Sequence, residues 1–285
     1  MTTSKLTHSP RFQRWAYQII PHILLIGYCV IALYPIVLIV INSFKSRAGI
    51  FGAPYAFPTT ETFSTIGYDT VFSRASFGTN FLNSLIVTGA SLMLILLTGA
   101  MAAFALSEYK FRGNTLVGLF LALGIMIPIR LGTVGILRIV VSLDLTNKLL
   151  GLILVYIAQG LPLTIFILTN FMRQIPMELK DAARIDGASE YRVFRMVLPL
   201  VRPAIGAIGI FTMIPIWNDL WFPLILAPSE STATVTLGVQ QFLGQFVSDW
   251  NAVLASLTLA MIPVLALYVF FSRQMVRSLT AGALK

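Results

Sequence analysis

Charged residues make up only 11% of these 285 residues, and the few that interrupt the apolar runs carry whatever chemistry the chain performs. The densest group lies in Ile175–Pro203, IPMELKDAARIDGASEYRVFRMVLPLVRP, a helix-compatible island between two apolar stretches. Within it Glu178, Asp181, Ala182, Ala183, Asp186, Gly187 and Ala188 form a compact set. Small residues on an exposed turn admit another surface at close range, and the glycine takes the positive φ that most residues resist. Docking of a soluble partner is the chemistry to expect there. A second group, Trp217, Asn218 and Asp219, sets an aromatic ring beside an amide and an acid, a combination suited to a polyhydroxylated ligand. Asp219 can equally pair with an arginine or lie at the membrane interface. The third group is Arg130 and Arg138, eight residues and thus about two helical turns apart, on nearly one face of an apolar segment. A charge inside such a segment costs about 2.5 to 3.5 kcal/mol on insertion scales and so faces a cavity or a partner. Both arginines, with Trp217, Asn218 and Asp219, are candidates to line a solute pathway.

Catalytic and metal chemistry find no comparable pattern. No GxxxxGK[ST] phosphate loop is present, so the chain holds no nucleotide in that manner, and no HExxH pair occurs. His8 and His22 do not suggest a metal site. The single cysteine, Cys29, lies within an apolar run, so no intrachain disulfide can form.

The elements that must position these groups are membrane spans. Hydrophobic residues make up 57% of the chain, and its charged share falls well below the roughly 25% of soluble domains. A span needs about 20 apolar residues, and the pattern predicts six: 19–43, 82–107, 115–142, 149–172, 204–226 and 251–272. The third and fifth are interrupted by Arg130, Arg138 and Asp219. The expected fold class is all-α and polytopic, with a segment 1–18, a domain 19–272 that includes the charged island 175–203, and a tail 273–285. With the N-terminus inside, fourteen of the twenty lysines and arginines fall in cytoplasmic segments and four outside. Both termini and the island are therefore expected in the cytoplasm. The net charge of +9 reports topology and needs no nucleic acid to explain it. The first apolar run is too long for a signal h-region and reads as a retained anchor. The external segments 44–80 and 227–250 are either partner-binding surfaces or plain connections.

Within the island, Pro176 suits a helix's first turn and Gly187 ends that helix. Ser189 can cap a second helix, with Glu190 in its first turn and an apolar stripe of Tyr191, Phe194 and Leu198. The sequence DAARIDGA resembles the EAA motif of the membrane subunits of binding-protein-dependent ABC importers, with Asp181 in place of the leading glutamate. Phe81-Leu82-Asn83-Ser84, Ala102-Ala103-Phe104-Ala105, Gly151-Leu152-Ile153-Leu154, Trp217-Asn218-Asp219 and the closing Leu279-Thr280-Ala281-Gly282-Ala283-Leu284-Lys285 are similar to blocks of sugar permeases of the maltose-transporter type. The last of these is similar to the tail of the shorter of the two permease subunits. The resemblance implies a type I importer permease fold, a coupling helix at the island, and residence in a bacterial inner membrane. It further implies a second permease, a homodimeric ATPase that carries ATP and Mg, and an extracytoplasmic sugar-binding protein, with no cofactor on this chain. The rival readings are an ion-gradient-driven carrier and an ABC permease for a non-sugar solute.

Overall fold

The computed structural model describes residues 10–73, 76–243 and 248–283, and among them all regular elements are helices. In chain order these are α1 (Pro10–Ser43), α2 (Arg47–Gly52), α3 (Ile66–Ser73), α4 (Ser76–Glu108), α5 (Asn114–Met126), α6 (Thr133–Ser142) and α7 (Leu149–Arg173). Then follow α8 (Met177–Ile185), α9 (Glu190–Leu200), α10 (Arg202–Trp217), α11 (Trp221–Leu226), α12 (Val235–Gln240) and α13 (Trp250–Ala283). A 3₁₀ turn, Ile129–Gly132, joins α5 to α6. The chain divides into two compact units, residues 1–71 with 249–258, and residues 72–248 with 259–285.

The first unit holds α1, whose apolar stretch from Ile19 is not covered within the chain. Beyond its end the backbone is organised by Lys45. The ammonium of this fully buried residue donates to Asn42 Oδ1 at 3.0 Å and the Ala53 carbonyl at 2.8 Å, while Asn251 donates to the Lys45 carbonyl at 2.6 Å. A buried cation needs such acceptors, and they fold what the sequence suggests is a loop. Lys45 therefore adds no surface charge to the external side of the orientation count.

In the second unit α4 and α7 pack closely along their lengths. A Cβ on Gly99 would stand 2.6 Å from Thr164 Cγ2, and one on Gly160 2.6 Å from Ile95 Cδ1, so small residues set the approach. Two apolar clusters form around this pair. One gathers Phe104, Leu168, Met172, Val193, Phe194, Val197 and Ile208, and the other Val87, Ile95, Leu152, Tyr156, Ile216 and Phe222.

Among the described residues, three helices are long and apolar enough to cross a membrane, and two bent pairs raise the number to five by length and composition. The expected third and fifth spans are not continuous. The third turns by 89° between α5 and the Ile129–Ser142 segment, because Ile127 precedes Pro128 and takes extended φ and ψ of −84° and 119°. The fifth ends as a helix at Trp217 and resumes only at Trp221. α9 and α10 form the other bent pair, at 73°. The sixth expected span falls in α13, whose apolar stretch is Trp250–Ala266. In the closing motif, Leu284 and Lys285 lie outside the described residues, as does the segment before Pro10.

Candidate functional site

The two helices expected in the charged island are α8 and α9. Pro176 stands just before α8 rather than in its first turn, as its N-cap, with φ −53° and ψ 134°. Gly187 ends α8 with φ +80°, a Cβ placed on it would meet nothing within 4 Å, and its N–H donates to the Arg184 carbonyl at 3.0 Å. Glycine is required there by backbone conformation, not by crowding. Ser189 occupies the N-cap of α9, but its hydroxyl makes no capping bond. Its carbonyl instead accepts from the N–H groups of Arg192 at 2.8 Å and Val193 at 3.0 Å. The buried stripe of α9 is Val193, Phe194 and Val197. Tyr191 points outward, so of the expected stripe Phe194 alone is fully buried and Leu198 is partly so.

The candidate docking residues divide into two faces. Ala182, Asp186 and Gly187 are exposed together with Ile185, which is 86% exposed, while Ala183 and Ala188 pack on the first apolar cluster. Glu178 lies in the exposed first turn of α8. An exposed large aliphatic residue among small ones makes a surface that a partner can cover. The sequence reading misses Ile185, although its place between two motif residues marks it.

Behind that surface lies a charge cluster that the sequence reading also misses. The Glu108 carboxylate, at the end of α4 and 1% exposed, accepts from Lys180, itself 3% exposed, and from Arg184 Nη2 at 3.1 Å. Arg184 also donates to Asp181 at 2.9 Å and to Glu190 at 2.8 Å, and the Tyr109 hydroxyl donates to Glu190 at 2.8 Å. Hydrogen bonds from Arg184, and then from Tyr109, hold the Glu190 carboxyl below the usual carboxylate range. The same bond to Glu190 is the largest influence raising Arg184. A lone acid directly after a long apolar run, in a region where cations predominate, is the signal that points to Glu108.

The candidate pathway residues come together differently from expectation. Asp219 is 7% exposed and accepts from Arg130 Nη2 at 3.3 Å, from the Tyr156 hydroxyl at 2.9 Å, and from the backbone N–H groups of Trp221 and Phe222 at 3.2 Å each. It therefore holds the start of α11, as a capping acid does, and of the three readings left open the arginine pair is the one the geometry carries. Trp217 is buried, its indole donating to the Ala260 carbonyl at 3.1 Å and its ring edge-on to Phe81. Asn218 is exposed and bonded to the Ile214 carbonyl at 2.9 Å. Arg130 and Arg138 are not placed as expected, because Arg130 lies in the 3₁₀ turn and Arg138 in α6, so the two-turn argument for a shared face does not apply. Arg130 borders a cavity of about 820 Å³, lined also by Ile127, Pro128, Gln159 and Pro162. Tyr156 is the residue missed here, a lone tyrosine in the fourth apolar run. Among the described residues, no group of three or more His, Cys, Asp or Glu could hold a metal ion.

A model of the family described as binding-protein-dependent transport system inner membrane component matches residues 18–281. The diacetylchitobiose uptake system permease of Streptomyces coelicolor is 33% identical, over 93% of this chain and 88% of its own. The melibiose/raffinose/stachyose import permease of Bacillus subtilis is 30% identical, over 88% and 91%. Among solved structures, a bacterial ABC transporter involved in the import of alginate superposes with a TM-score of 0.78 at 22% identity, covering 95% of this chain and 99% of that one.

Proposed function

The chain belongs to the family of binding-protein-dependent transport system inner membrane components, and from that premise we propose that it is one permease of an ATP-driven carbohydrate importer, docked on its ATPase through α8. Membership removes the ion-gradient carrier as a rival. A sugar as the solute is supported by relatives named for diacetylchitobiose and for melibiose, raffinose and stachyose. A second permease, a homodimeric ATPase holding ATP and Mg, and an extracytoplasmic sugar-binding protein complete the assembly. A related transporter solved with an oligosaccharide-bound periplasmic protein, at a TM-score of 0.68, supports the last of these. The chain crosses the inner membrane several times, α13 completing six spans, with both termini and the α8–α9 pair in the cytoplasm. Arg130 lines the solute path, whereas Trp217 and Asp219 support it from behind.

The observation that carries the docking assignment is the outward face of Ala182, Ile185, Asp186 and Gly187 on a helix whose opposite side is held by buried charge. Ala182→Glu places a charge on that face. Gly187→Pro fixes φ near −65° where +80° is needed and removes an N–H donor. In liposomes holding the full complex, both variants are expected to insert normally yet lose ATP hydrolysis stimulated by the binding protein. Wild-type stimulation in both would rule out α8 as the docking surface.

A further inference from the structure

The cluster at the end of α4 holds more charge than a docking surface requires. Glu108 is the last residue of α4, where the helix dipole disfavours an acid, and at 1% exposure its charge is also cut off from water. Both penalties are offset by cations from one element, Lys180 and Arg184 of α8. Packing alone gives no reason for such a choice, since replacing a buried ion pair by apolar side chains is often neutral or stabilising. A directional tie between two helices is what the charges add.

α8 has little else to hold it. Its packing on the apolar cluster is through Ala183, the smallest of anchors, while Met177, Leu179 and Ile185 are exposed. The segments on either side, Gln174–Pro176 and Asp186–Ser189, are not helical and meet that cluster only through Ile175 and Ala188. A push on α8 through those linkers alone would dissipate in their torsions. The other end of the tie is firmer. The final turns of α4 also receive Arg173 of α7 and Asn114 of α5, each donating to the Leu106 carbonyl at 3.3 Å.

We propose that Glu108 is a positioning residue that ties α8 to α4, so that displacement of α8 by its docked partner moves α4 as one body with it. The proposal rests on the reading of α8 as the docking surface. Arg184 extends the tie to α9 through Glu190, so the helix pair moves together.

The test uses the assembled complex in liposomes, with Cys29→Ser and spin labels on cysteines at Met177 in α8 and Gly89 in α4. Met177 is exposed, and a Cβ on Gly89 meets nothing within 4 Å. With Glu108 in place the label separation should remain narrow and unchanged when the ATPase is trapped with ATP and vanadate. Glu108→Gln should broaden the distribution at least twofold and shift it on trapping. Because that variant strands Lys180 and lowers the yield of complex, Glu108→Gln with Lys180→Met provides the second arm. It should restore wild-type yield while the distribution stays at least twofold broader. A narrow, trapping-insensitive distance in the double variant would overturn the proposal and leave the cluster a purely structural one. Absence of the ATPase from purified wild-type complex would instead sink the docking reading, and the tie with it, before any variant is compared.

Discussion

Two acids in the second unit, Asp219 and Glu108, each sit at a break between helices and each take an arginine, yet they are satisfied in opposite ways. Asp219 receives one cation and three neutral donors, the Tyr156 hydroxyl and the N–H groups of Trp221 and Phe222. Glu108 receives its bonds from two cations, Lys180 and Arg184. Neutral donors fixed to the backbone and to a buried ring hold the carboxylate whatever Arg130 does, so the Asp219 site is a strut. Side-chain cations on a second, lightly packed helix instead fasten one element to another, with Lys180 buried and Arg184 26% exposed. The Glu108 site is a clasp. The strut fixes the shape of one break in the chain, whereas the clasp fastens two separate helices, α8 and α4, to each other.

The comparison breaks first at Asp219. Asp219→Ala leaves a buried hydroxyl and two N–H groups without an acceptor at about 1 to 3 kcal/mol each, of which partial relaxation should leave about 3 to 5 kcal/mol in total. The yield of folded complex is expected to fall severely. Arg130→Gln should cost no more than about 1 kcal/mol, because Arg130 is 64% exposed and its loss leaves the neutral donors in place. Thermal melting of the two purified variants measures both. Equal losses would mean that Arg130 bears as much as the other donors together, and the strut would be an ion pair after all.

Why the strut is half legible in sequence and the clasp not at all has a physical answer. Trp217, Asn218 and Asp219 stand out as polar groups in an apolar run, but a sequence does not say whether such groups face a cavity or one another. The break at Asn218 turns the indole inward and the carboxylate onto the start of α11. The third span reads as continuous because apolar composition runs through Pro128, although the residue before a proline resists the α region. The α8–Gly187–α9 pattern is readable because caps, a positive-φ glycine and a short amphipathic stripe are local signals. Even there the expected stripe is misphased, since Tyr191 and Val193 are both compatible with burial and only contact with Phe104 and Leu168 selects between faces. Glu108 and Lys180 meet across 72 residues, and no local rule reaches that far.

The clasp sharpens with Lys180→Met. This substitution keeps the volume of the buried stem and removes one of two cations, so Glu108 remains on Arg184 alone. A cost of about 1 to 3 kcal/mol is expected, below that of Asp219→Ala because one charge-assisted bond survives. The same change should raise the sensitivity of melting to added salt, since the surviving partner is partly exposed and screened. A salt response no different from wild type would show that Arg184 is as sheltered as Lys180.

The smallest effect tests the outer edge of the clasp through pH. Glu190 is held below its ordinary range by Arg184 and Tyr109, so its contribution is complete above the unfolded value near 4.5 and is lost as pH falls through the lower folded one. Protonation of the unfolded chain comes first, and stability therefore begins to decline only below about pH 4.5. Arg184 is raised from a range already far above neutrality and adds no slope there. Glu190→Gln keeps an acceptor for Tyr109 but removes the titration, so the acid limb of melting temperature against pH should become flatter, with a change near pH 7 of well under about 1 kcal/mol for this half-exposed residue. An acid limb of unchanged steepness in Glu190→Gln would take the pH sensitivity away from Glu190 and confine the clasp to α4 and α8.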